Sequence, residues 1–294
     1  MRILISGGSG LIGSALIPHL TKQGHSVTYL VRRPARNANE ILWNPATGEL
    51  DSQAMENIDA VINLSGAGVG DRRWTKKYKN TILQSRLDST RTLVNAINAA
   101  TNKPSIFINA SAIGFYGDRG SEKVNENSPI GIGFLANVVQ QWEAEATSAQ
   151  TRVAMLRTGL VLTPKGGAFA KLLPLFKLGL GGVIAGGKQY WSFISITDEI
   201  RAIDFVLNND VSGPVNLTAP HPVTNREVTT ALAKALHRPA LLPVPGFALR
   251  IVLGEFSSDI TGGAAVIPAK LQNAGFQWLH PTIESAIEAE VLSR

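Results

Sequence analysis

The first thirteen residues constrain the fold more than any other stretch of the chain. A short apolar run at residues 2–5 is typical of a strand, and it leads directly into Gly7, Gly10 and Gly13. Glycine at these places allows a tight turn, lets the backbone approach a pyrophosphate and lets the next helix lie close to the strand. Apolar residues then recur at helical spacing up to Gly24. The stretch therefore predicts a strand, a glycine turn and a helix.

This unit is typical of a dinucleotide-binding site. The N-terminus of the helix presents free N–H groups and a positive dipole end to the phosphates. A purely structural glycine turn is the alternative, since glycine-rich loops are common. The residues of this unit predicted to contact a cofactor are Gly7, Gly8, Ser9, Gly10, Leu11, Ile12 and Gly13.

The end of the second predicted strand, at residues 26–31, indicates which cofactor is bound. An acidic residue at this point takes the ribose hydroxyls of NAD(H), whereas a basic residue accommodates the 2′-phosphate of NADP(H). The chain has Val31, Arg32 and Arg33 here, with no carboxylate close behind. The pattern favours NADP(H) over NAD(H) and predicts cofactor contacts by all three residues. A solvated strand end is the other explanation of the two arginines.

The fourth predicted strand, at residues 59–64, lies on the other side of the first strand by chain order. Its carboxyl end then flanks the crevice in which ligands of such sheets bind. The same topology places Arg157 on the cleft, because it stands at the end of the sixth predicted strand, at residues 153–156. The further residues predicted to contact the cofactor are Asn63, Leu64, Ser65, Gly66, Ala67, Ser85 and Arg157.

Together these elements predict an α/β fold of Rossmann type. We expect a doubly wound parallel sheet of about seven strands in the order 3-2-1-4-5-6-7, with a small C-terminal lobe on the substrate side. The expected organisation is an NADP(H)-binding core at residues 1–165, to which a strand near 214–218 returns. A lid and substrate-side segment follows at residues 166–237, and a C-terminal appendage at residues 238–294.

Composition excludes several other classes of protein. The chain has 294 residues, 44% of them hydrophobic, which is enough for a large core. There is no cysteine and the five histidines are isolated, so neither disulfides nor a metal site is predicted. The net charge of +6 is scattered, and no nucleic-acid partner is expected. Since no signal peptide or run of ~20 apolar residues is visible, we expect a cytoplasmic protein without membrane contact.

Two helix starts in the second half are predicted from capping residues. Asp198 is expected to cap the helix that follows it, because short acidic side chains accept hydrogen bonds from the first turn. Thr224 and Glu227 have the spacing of a capping box.

The segment after the fifth predicted strand makes a family resemblance specific. It places Ser111 before Tyr116-Gly117-Asp118. With the glycine turn and residues 63–67, it resembles the extended short-chain dehydrogenase/reductase superfamily of NAD(P)-dependent sugar-nucleotide epimerases and dehydratases. The chain looks most similar to a subgroup of uncharacterised epimerase-family proteins with a short C-terminal domain of unknown function, here about residues 238–292. The motifs that carry the subgroup resemblance include Arg72-Arg73-Trp74-Thr75, Ser85-Arg86, Trp142-Glu143, Arg157-Thr158-Gly159 and Val266-Ile267-Pro268-Ala269-Lys270.

The resemblance implies a catalytic serine at Ser111 and, on the helix that begins near Gly133, a tyrosine four residues before a lysine. On a helix, residues i and i+4 share a face, so the ammonium lies near the phenol and lowers its pKa. Here Phe134 and Val138 stand at those two positions, and none of the four tyrosines has a lysine four residues later. With Trp142 they form an apolar stripe that is typical of core packing.

Two functions remain open. The first is an NADP(H)-dependent epimerase- or reductase-like enzyme acting on a nucleotide sugar or another small carbonyl or alcohol. Its catalytic candidates are Ser111 and Tyr116, and Lys188 in a glycine-rich lid is expected to meet an anionic substrate. The second is a non-catalytic NADP(H)-binding sensor or regulator, in which Ser111 only bonds the backbone, Tyr116 packs and the segment around Lys188 is an irregular connection. The appendage is compatible with a homodimer in either case.

Overall fold

The structure, a computed structural model, describes residues 1–292. Residues 293 and 294 of the expected appendage lie outside the described part. The strands are β1 (Arg2–Ser6), β2 (Ser26–Val31), β3 (Glu40–Asn44), β4 (Glu49–Leu50), β5 (Ala60–Asn63), β6 (Ile106–Ala112), β7 (Lys123–Val124), β8 (Arg152–Thr158), β9 (Leu160–Leu162), β10 (Tyr190–Trp191), β11 (Phe193–Ser195), β12 (Gly213–Leu217), β13 (Val223–Thr224) and β14 (Ala265–Val266). The helices are α1 (Leu11–Lys22), α2 (Lys76–Ala99), α3 (Phe134–Ala146), α4 (Gly167–Lys177), α5 (Ile196–Asn208), α6 (Asn225–Ala235), α7 (Gly246–Leu253), α8 (Ser257–Thr261), α9 (Ala269–Asn273) and α10 (Ile283–Ile287). None of the helices within residues 1–292 combines the length and the apolar character that a membrane crossing requires.

An eight-stranded sheet forms the centre of the molecule, in the order β12-β8-β6-β5-β1-β2-β3-β4. Seven strands are parallel, and β4 at the edge runs antiparallel to β3. The seven parallel strands confirm the predicted order. β4 was not predicted, because two residues are too few for a periodic pattern. The chain reverses its direction across the sheet between β1 and β5, so their carboxyl ends flank the crevice where ligands bind in such folds.

Helices cover both faces of this sheet. Ile3 and Ile5 of β1 point to one face, where they belong to the same buried cluster as Leu16 of α1 and residues of α5. Leu4 points to the other face and belongs to a cluster with Leu93 of α2. Because the central parallel strands are buried on both faces, they form the continuous apolar runs that made them visible in the sequence.

The lid segment and the C-terminal part share a third apolar cluster beside the sheet. It contains Phe169 and Leu173 of α4, Leu232 of α6 and Ile287 of α10. β14 also pairs in parallel with β7, the short strand after Tyr116. The C-terminal part is thereby attached both to the lid segment and to the core.

The start of α5 corrects one prediction. Ser195, not Asp198, caps the helix, because the Ser195 hydroxyl accepts the N–H of Asp198 at 3.0 Å. The Asp198 carboxylate is fully buried and instead accepts the backbone N–H groups of Leu279 and His280 at 3.0 and 2.8 Å. It therefore holds the C-terminal part against α5. The capping box at Thr224 is confirmed.

Candidate functional site

The turn between β1 and α1 requires glycine at two positions, because a side chain at either would clash with neighbouring backbone atoms. Gly7 has a φ of +74°, and a Cβ atom there would lie 2.6 Å from the backbone carbonyl of Leu64. A Cβ atom on Gly13 would lie 2.5 Å from the carbonyl oxygen of Gly7. The Gly10 N–H donates to that same oxygen at 2.9 Å and closes the turn. The absence of side chains thus lets α1 begin directly against β1 and the loop after β5.

The N-terminus of α1 is open to a ligand. Gly10 precedes the helix, and no side chain caps its first N–H groups. They adjoin a cleft with a volume of about 310 Å³ in which Lys165 is the one charged residue among the described residues that line it. Unpaired amides, a positive dipole end and a lysine suit a phosphate group. The cleft is lined by Ser9, Gly10, Leu11, Ser14, Ala15, Thr163, Lys165, Gly166 and Ile196.

The loop that follows β5 is held by polar side chains. Asn63 is fully buried, and its Oδ1 accepts the N–H of Ser65 at 3.2 Å. Ser85 Oγ accepts the N–H of Ala67 at 3.0 Å, and Arg86 Nη1 donates to the carbonyl of Ala67 at 3.0 Å. The side chains of Asn63 and Ser85 therefore support the backbone of this loop. Their direct contact with a cofactor stays a prediction, and for Asn63 its burial argues against it.

The two arginines at the end of β2 have different surroundings. Arg33 donates two hydrogen bonds of 2.7 Å to the Glu40 carboxylate, and these bonds hold the pKa of Glu40 at about 2. Glu40 is near because it pairs with Tyr29 in the register of β2 and β3. The Arg32 side chain is exposed, has no hydrogen bond or ion pair within residues 1–292, and lines a depression of about 790 Å³ over β3 and β4. Arg32 is thus available to an anion, whereas Arg33 already has a counter-ion.

Ser111 belongs to a chain of buried polar side chains that crosses the sheet. Its hydroxyl donates to Glu143 Oε1 at 2.6 Å. Glu143 also accepts two hydrogen bonds of 2.8 Å from Nε and Nη2 of Arg157. Arg157 Nη1 donates to the Tyr116 hydroxyl at 3.0 Å, and Tyr116 in turn donates to Asn216 Oδ1 at 2.7 Å. The structure thus links the two catalytic candidates through an arginine–glutamate pair.

This polar chain bears on the predicted roles of its members. Tyr116 is fully buried, and burial raises the pKa of its hydroxyl. Arg157 is 3% exposed, with all of its guanidinium nitrogens engaged inside the protein. Ser111 is 5% exposed and directs its proton to Glu143. Their catalytic and cofactor-binding roles stay predictions, and burial argues against direct ligand contact by Tyr116 and Arg157.

α3 presents the predicted apolar stripe to α2. Val138 and Trp142 are buried, and Trp142 Nε1 donates to the Thr90 hydroxyl at 2.9 Å. The Phe134 ring lies 4.9 Å from that of Trp74, edge to face. These contacts confirm the core-packing interpretation of the stripe. The two positions where the family resemblance places a tyrosine and a lysine therefore hold no group that can donate a proton.

The segment at residues 166–237, which is predicted to be a lid, contacts the loop after β5. Lys171 of α4 donates to the carbonyl of Gly70 at 3.0 Å. Lys188 is exposed in the connection before β10 and has no hydrogen bond or ion pair within residues 1–292. Its predicted contact with an anionic substrate stays a prediction.

Three charged side chains near the site were not predicted to belong to it. Glu143 and Glu199 lie on helix faces that are otherwise largely apolar, and Arg86 shares its face with both apolar and small polar residues. A charge within an apolar helical stripe is the signal that marks such residues in the sequence. Within residues 1–292, no group of three or more histidine, aspartate or glutamate side chains is arranged to hold a metal ion.

Glu199, in the first turn of α5, is fully buried. Its Oε1 accepts the Thr158 hydroxyl at 2.8 Å, and its Oε2 has no partner in the described part of the chain. Burial raises the pKa of this carboxyl group to about 8. The group is therefore largely protonated at neutral pH.

We expect Glu199→Gln to remove a pH dependence of stability. The pKa of Glu199 is about 8 in the folded protein against an ordinary value of 4.5, so the unfolded chain ionises first as the pH rises. The free energy of unfolding of the wild-type protein therefore falls as the pH rises from about 4.5 to about 8, by up to about 1.4 kcal/mol per pH unit. Because glutamine does not ionise, the variant becomes more stable relative to wild type as the pH rises. Denaturant unfolding near pH 5 and near pH 8 measures this gain. The exposed Glu56→Gln is the control, and a Glu199→Gln difference that is equal at both pH values would contradict the expectation.

Two known protein families together match most of the chain. The profile of the NAD dependent epimerase/dehydratase family matches residues 3–218, and a domain of unknown function, DUF1731, matches residues 244–290. An epimerase family protein of Mycobacterium leprae (strain TN) is 45% identical over 290 residues, which cover 97% of this chain and 94% of that protein. One of Staphylococcus aureus (strain MRSA252) is 35% identical over 294 residues, 98% of each chain.

Two solved structures agree with these matches. The crystal structure of the human epimerase family protein SDR39U1 (isoform 2) with NADPH has a TM-score of 0.92 at 32% identity, with complete coverage of both chains. A nucleoside-diphosphate sugar epimerase from Corynebacterium glutamicum has a TM-score of 0.80 at 31% identity, covering 99% of this chain and 58% of that one. The chain therefore belongs to the NAD dependent epimerase/dehydratase family, and a domain of unknown function follows the family's region in the chain.

Proposed function

We propose that the protein binds NADP(H) along the carboxyl edge of its sheet and acts as an epimerase- or reductase-like oxidoreductase. Its substrate would be a nucleotide sugar or another small carbonyl or alcohol. The observation that carries this proposal is the glycine turn, which brings the uncapped N-terminus of α1 to the cleft that contains Lys165. The human relative, whose crystal structure contains NADPH, supports it at 32% identity. MoeE5 in complex with UDP-glucuronic acid and NAD shares only the fold, at 19% identity and a TM-score of 0.76.

Two features at the end of β2 support NADP(H) over NAD(H). Arg32 is exposed and unpaired within residues 1–292, so it is available to a 2′-phosphate. Glu40 is the nearby carboxylate that would otherwise accept ribose hydroxyls, and both of its oxygens are engaged by Arg33. A free basic group and a neutralised acidic group at the end of β2 fit the pattern of NADP(H) sites. Two further carboxylates, Glu49 and Asp51, line the same depression as Arg32.

The nicotinamide, when bound, supplies or accepts a hydride. The chain itself would bind the phosphates at α1 and keep the loop after β5 in place through Ser85 and Asn63. The Ser111 hydroxyl would have to turn away from Glu143 before it could donate a hydrogen bond to a substrate oxygen. Proton transfer would then rest on a group other than a tyrosine–lysine pair.

A specific observation favours the second candidate, a non-catalytic NADP(H)-binding sensor. Phe134 and Val138 replace the acid/base pair, and Tyr116 is fully buried. Single-turnover mixing separates the two functions: protein saturated with NADPH or NADP⁺ is mixed with nucleotide sugars and small aldehydes or alcohols while the nicotinamide absorbance is followed. Hydride transfer that Ser111→Ala slows supports the enzyme. Tight cofactor binding without hydride transfer to any of these substrates supports the sensor.

We expect Arg32→Asp to weaken NADPH binding by about tenfold or more, because the variant removes a charged hydrogen-bond donor from the 2′-phosphate and adds a repelling charge. NADH, which has no such phosphate, is expected to bind within about twofold of wild type. Titration calorimetry of both cofactors measures the change.

Lys103→Asp is the control for that titration. It makes the same change in net charge at an exposed position before β6, where the parallel strands begin, and therefore away from their carboxyl ends. Equal losses of NADPH and NADH affinity in Arg32→Asp, or no loss of either, would contradict the assignment of the 2′-phosphate to Arg32.

A further inference from the structure

Arg86 lies beside the loop after β5 with part of its guanidinium group unused. Nη1 donates to the carbonyl oxygens of Ala67 and Ile82 at 3.0 and 2.9 Å. The group also lies over the Trp142 ring, 5.0 Å from its centre, and next to Gly66. No carboxylate within residues 1–292 forms an ion pair with it.

Two other arginines of this chain bind carboxylates through this same edge, whereas Arg33 uses Nη1 and Nη2. Arg157 binds Glu143 through Nε and Nη2, with two hydrogen bonds of 2.8 Å. Arg91, on the same helix as Arg86, binds Glu145 through the same two nitrogens, at 3.2 and 2.8 Å. Nε and Nη2 of Arg86 have no partner in the described part of the chain. This edge has the fork geometry that carboxylates and phosphates accept in pairs.

The edge remains accessible. Nε and Nη2 of Arg86 have no hydrogen-bond partner, but neither atom is fully buried. Within residues 1–292, the one side-chain nitrogen or oxygen atom that is both fully buried and without a partner is Glu199 Oε2. Solvent or a ligand can therefore reach the open edge of Arg86.

The charge of Arg86 adds to this geometry. Burial lowers the pKa of its guanidinium to about 10, so the group is still a cation at neutral pH. A half-buried cation without a counter-ion is unfavourable, and an anion at its open edge would compensate the lost hydration. Arg86 therefore differs from Arg33, Arg91 and Arg157, which are each paired with a carboxylate of the protein.

We propose that the Nε and Nη2 edge of Arg86 binds a carboxylate or phosphate group of a ligand lying against the loop at residues 65–68. This inference rests on the proposed function, which places ligands in this crevice. The anionic group comes either from the cofactor or from the substrate. If it comes from the substrate, the substrate is an anionic molecule.

The test compares Arg86→Gln with Arg91→Gln, which makes the same substitution five residues along α2 at an exposed, already paired arginine. NADPH is titrated into each variant by calorimetry. Inorganic phosphate and malonate are then titrated into NADPH-saturated protein. Loss of a bidentate charged contact is expected to weaken the affected ligand by roughly ten- to a hundredfold.

The two arms identify the source of the anion. Weaker NADPH binding in Arg86→Gln alone assigns the edge to a cofactor phosphate. Unchanged NADPH binding, together with phosphate or malonate binding that Arg86→Gln alone removes, assigns it to the substrate. The proposal is wrong if Arg86→Gln changes NADPH affinity by less than about twofold and the NADPH-saturated wild-type protein binds neither anion, or binds them equally well without Arg86.

Failure of the proposed function gives a different result. If wild-type protein does not bind NADPH, the phosphate titration is made on the cofactor-free protein, and Arg86-dependent binding still supports the site while its absence overturns it. If Arg86→Gln does not fold, Arg86→Lys replaces it, because lysine keeps the charge but cannot form the fork. We expect a loss of affinity with Arg86→Lys as well, and an affinity equal to wild type for every ligand would overturn the proposal.

Discussion

Glu143→Gln is expected to lower the free energy of unfolding by about 3–5 kcal/mol. The Glu143 and Arg157 side chains are 11% and 4% exposed and share two hydrogen bonds of 2.8 Å. Removing the carboxylate charge leaves the Arg157 cation buried without a counter-ion, and the Ser111 hydroxyl loses a charged acceptor. Denaturant unfolding, followed by circular dichroism, measures the change.

The matched control lies on the same helix. Glu145 also binds an arginine through two hydrogen bonds, but its partner Arg91 is 51% exposed. Because solvent screens this pair, Glu145→Gln is expected to cost at most about 1 kcal/mol. Similar losses in the two variants would show that Glu143 and Arg157 do not act as a buried ion pair. A double variant, Glu143→Leu with Arg157→Met, is expected to recover part of the stability that Glu143→Gln loses, since it leaves no charge unpaired.

Gly7→Ala has the largest expected effect on cofactor binding. The positive φ of Gly7 would cost an alanine about 1–2 kcal/mol. Its Cβ atom would also lie 2.6 Å from the carbonyl of Leu64, which forces the glycine turn and the loop after β5 apart. If two hydrogen bonds to phosphate are lost, at about 1.5–3 kcal/mol each, NADPH affinity falls by about a hundredfold or more.

Gly275→Ala separates the clash from the backbone strain. Gly275 has a comparable φ of +84°, and a Cβ atom there meets nothing within 4 Å. It lies between α9 and α10 and lines neither the cleft at α1 nor the depression beside Arg32. Both variants should therefore show the strain in thermal unfolding, and Gly7→Ala alone should lose NADPH in calorimetric titration. NADPH affinity within about threefold of wild type in a folded Gly7→Ala protein would mean that this turn does not form the phosphate site.

The sequence predicted most of the elements that local patterns define. The glycine turn was visible because Gly7, Gly10 and Gly13 lie within a few residues of one another. Each stands where a Cβ atom would come too close to a neighbouring backbone atom. The order of the seven parallel strands followed from the alternation of strands and helices along the chain and from the topology typical of dinucleotide-binding folds. The family resemblance placed the usual acid/base pair at Phe134 and Val138 of α3, so the residue types at these positions were enough to show that the pair is missing.

Other features were decided by residues that are far apart in the chain. Arg33 looked available for a phosphate until the register of β2 and β3 placed Glu40 beside it. The catalytic role of Tyr116 stays a prediction, but only the fold showed that its hydroxyl is buried against Asn216, one hundred positions later.

The sequence alone thus determined the fold and the nucleotide-type turn, because these follow from short-range sterics, periodicity and the order of elements along the chain. The absence of the tyrosine–lysine pair followed from the residue types at the positions that the family resemblance assigns to that pair. Only the tertiary structure decided which charges are neutralised and which are free. Arg157, Arg33 and Arg86 are the same residue type, but the first two have a carboxylate partner and the third has an open edge. The physical reason is that an ion pair depends on the distance between two side chains in space, and that distance is set by strand register and helix packing rather than by position in the chain.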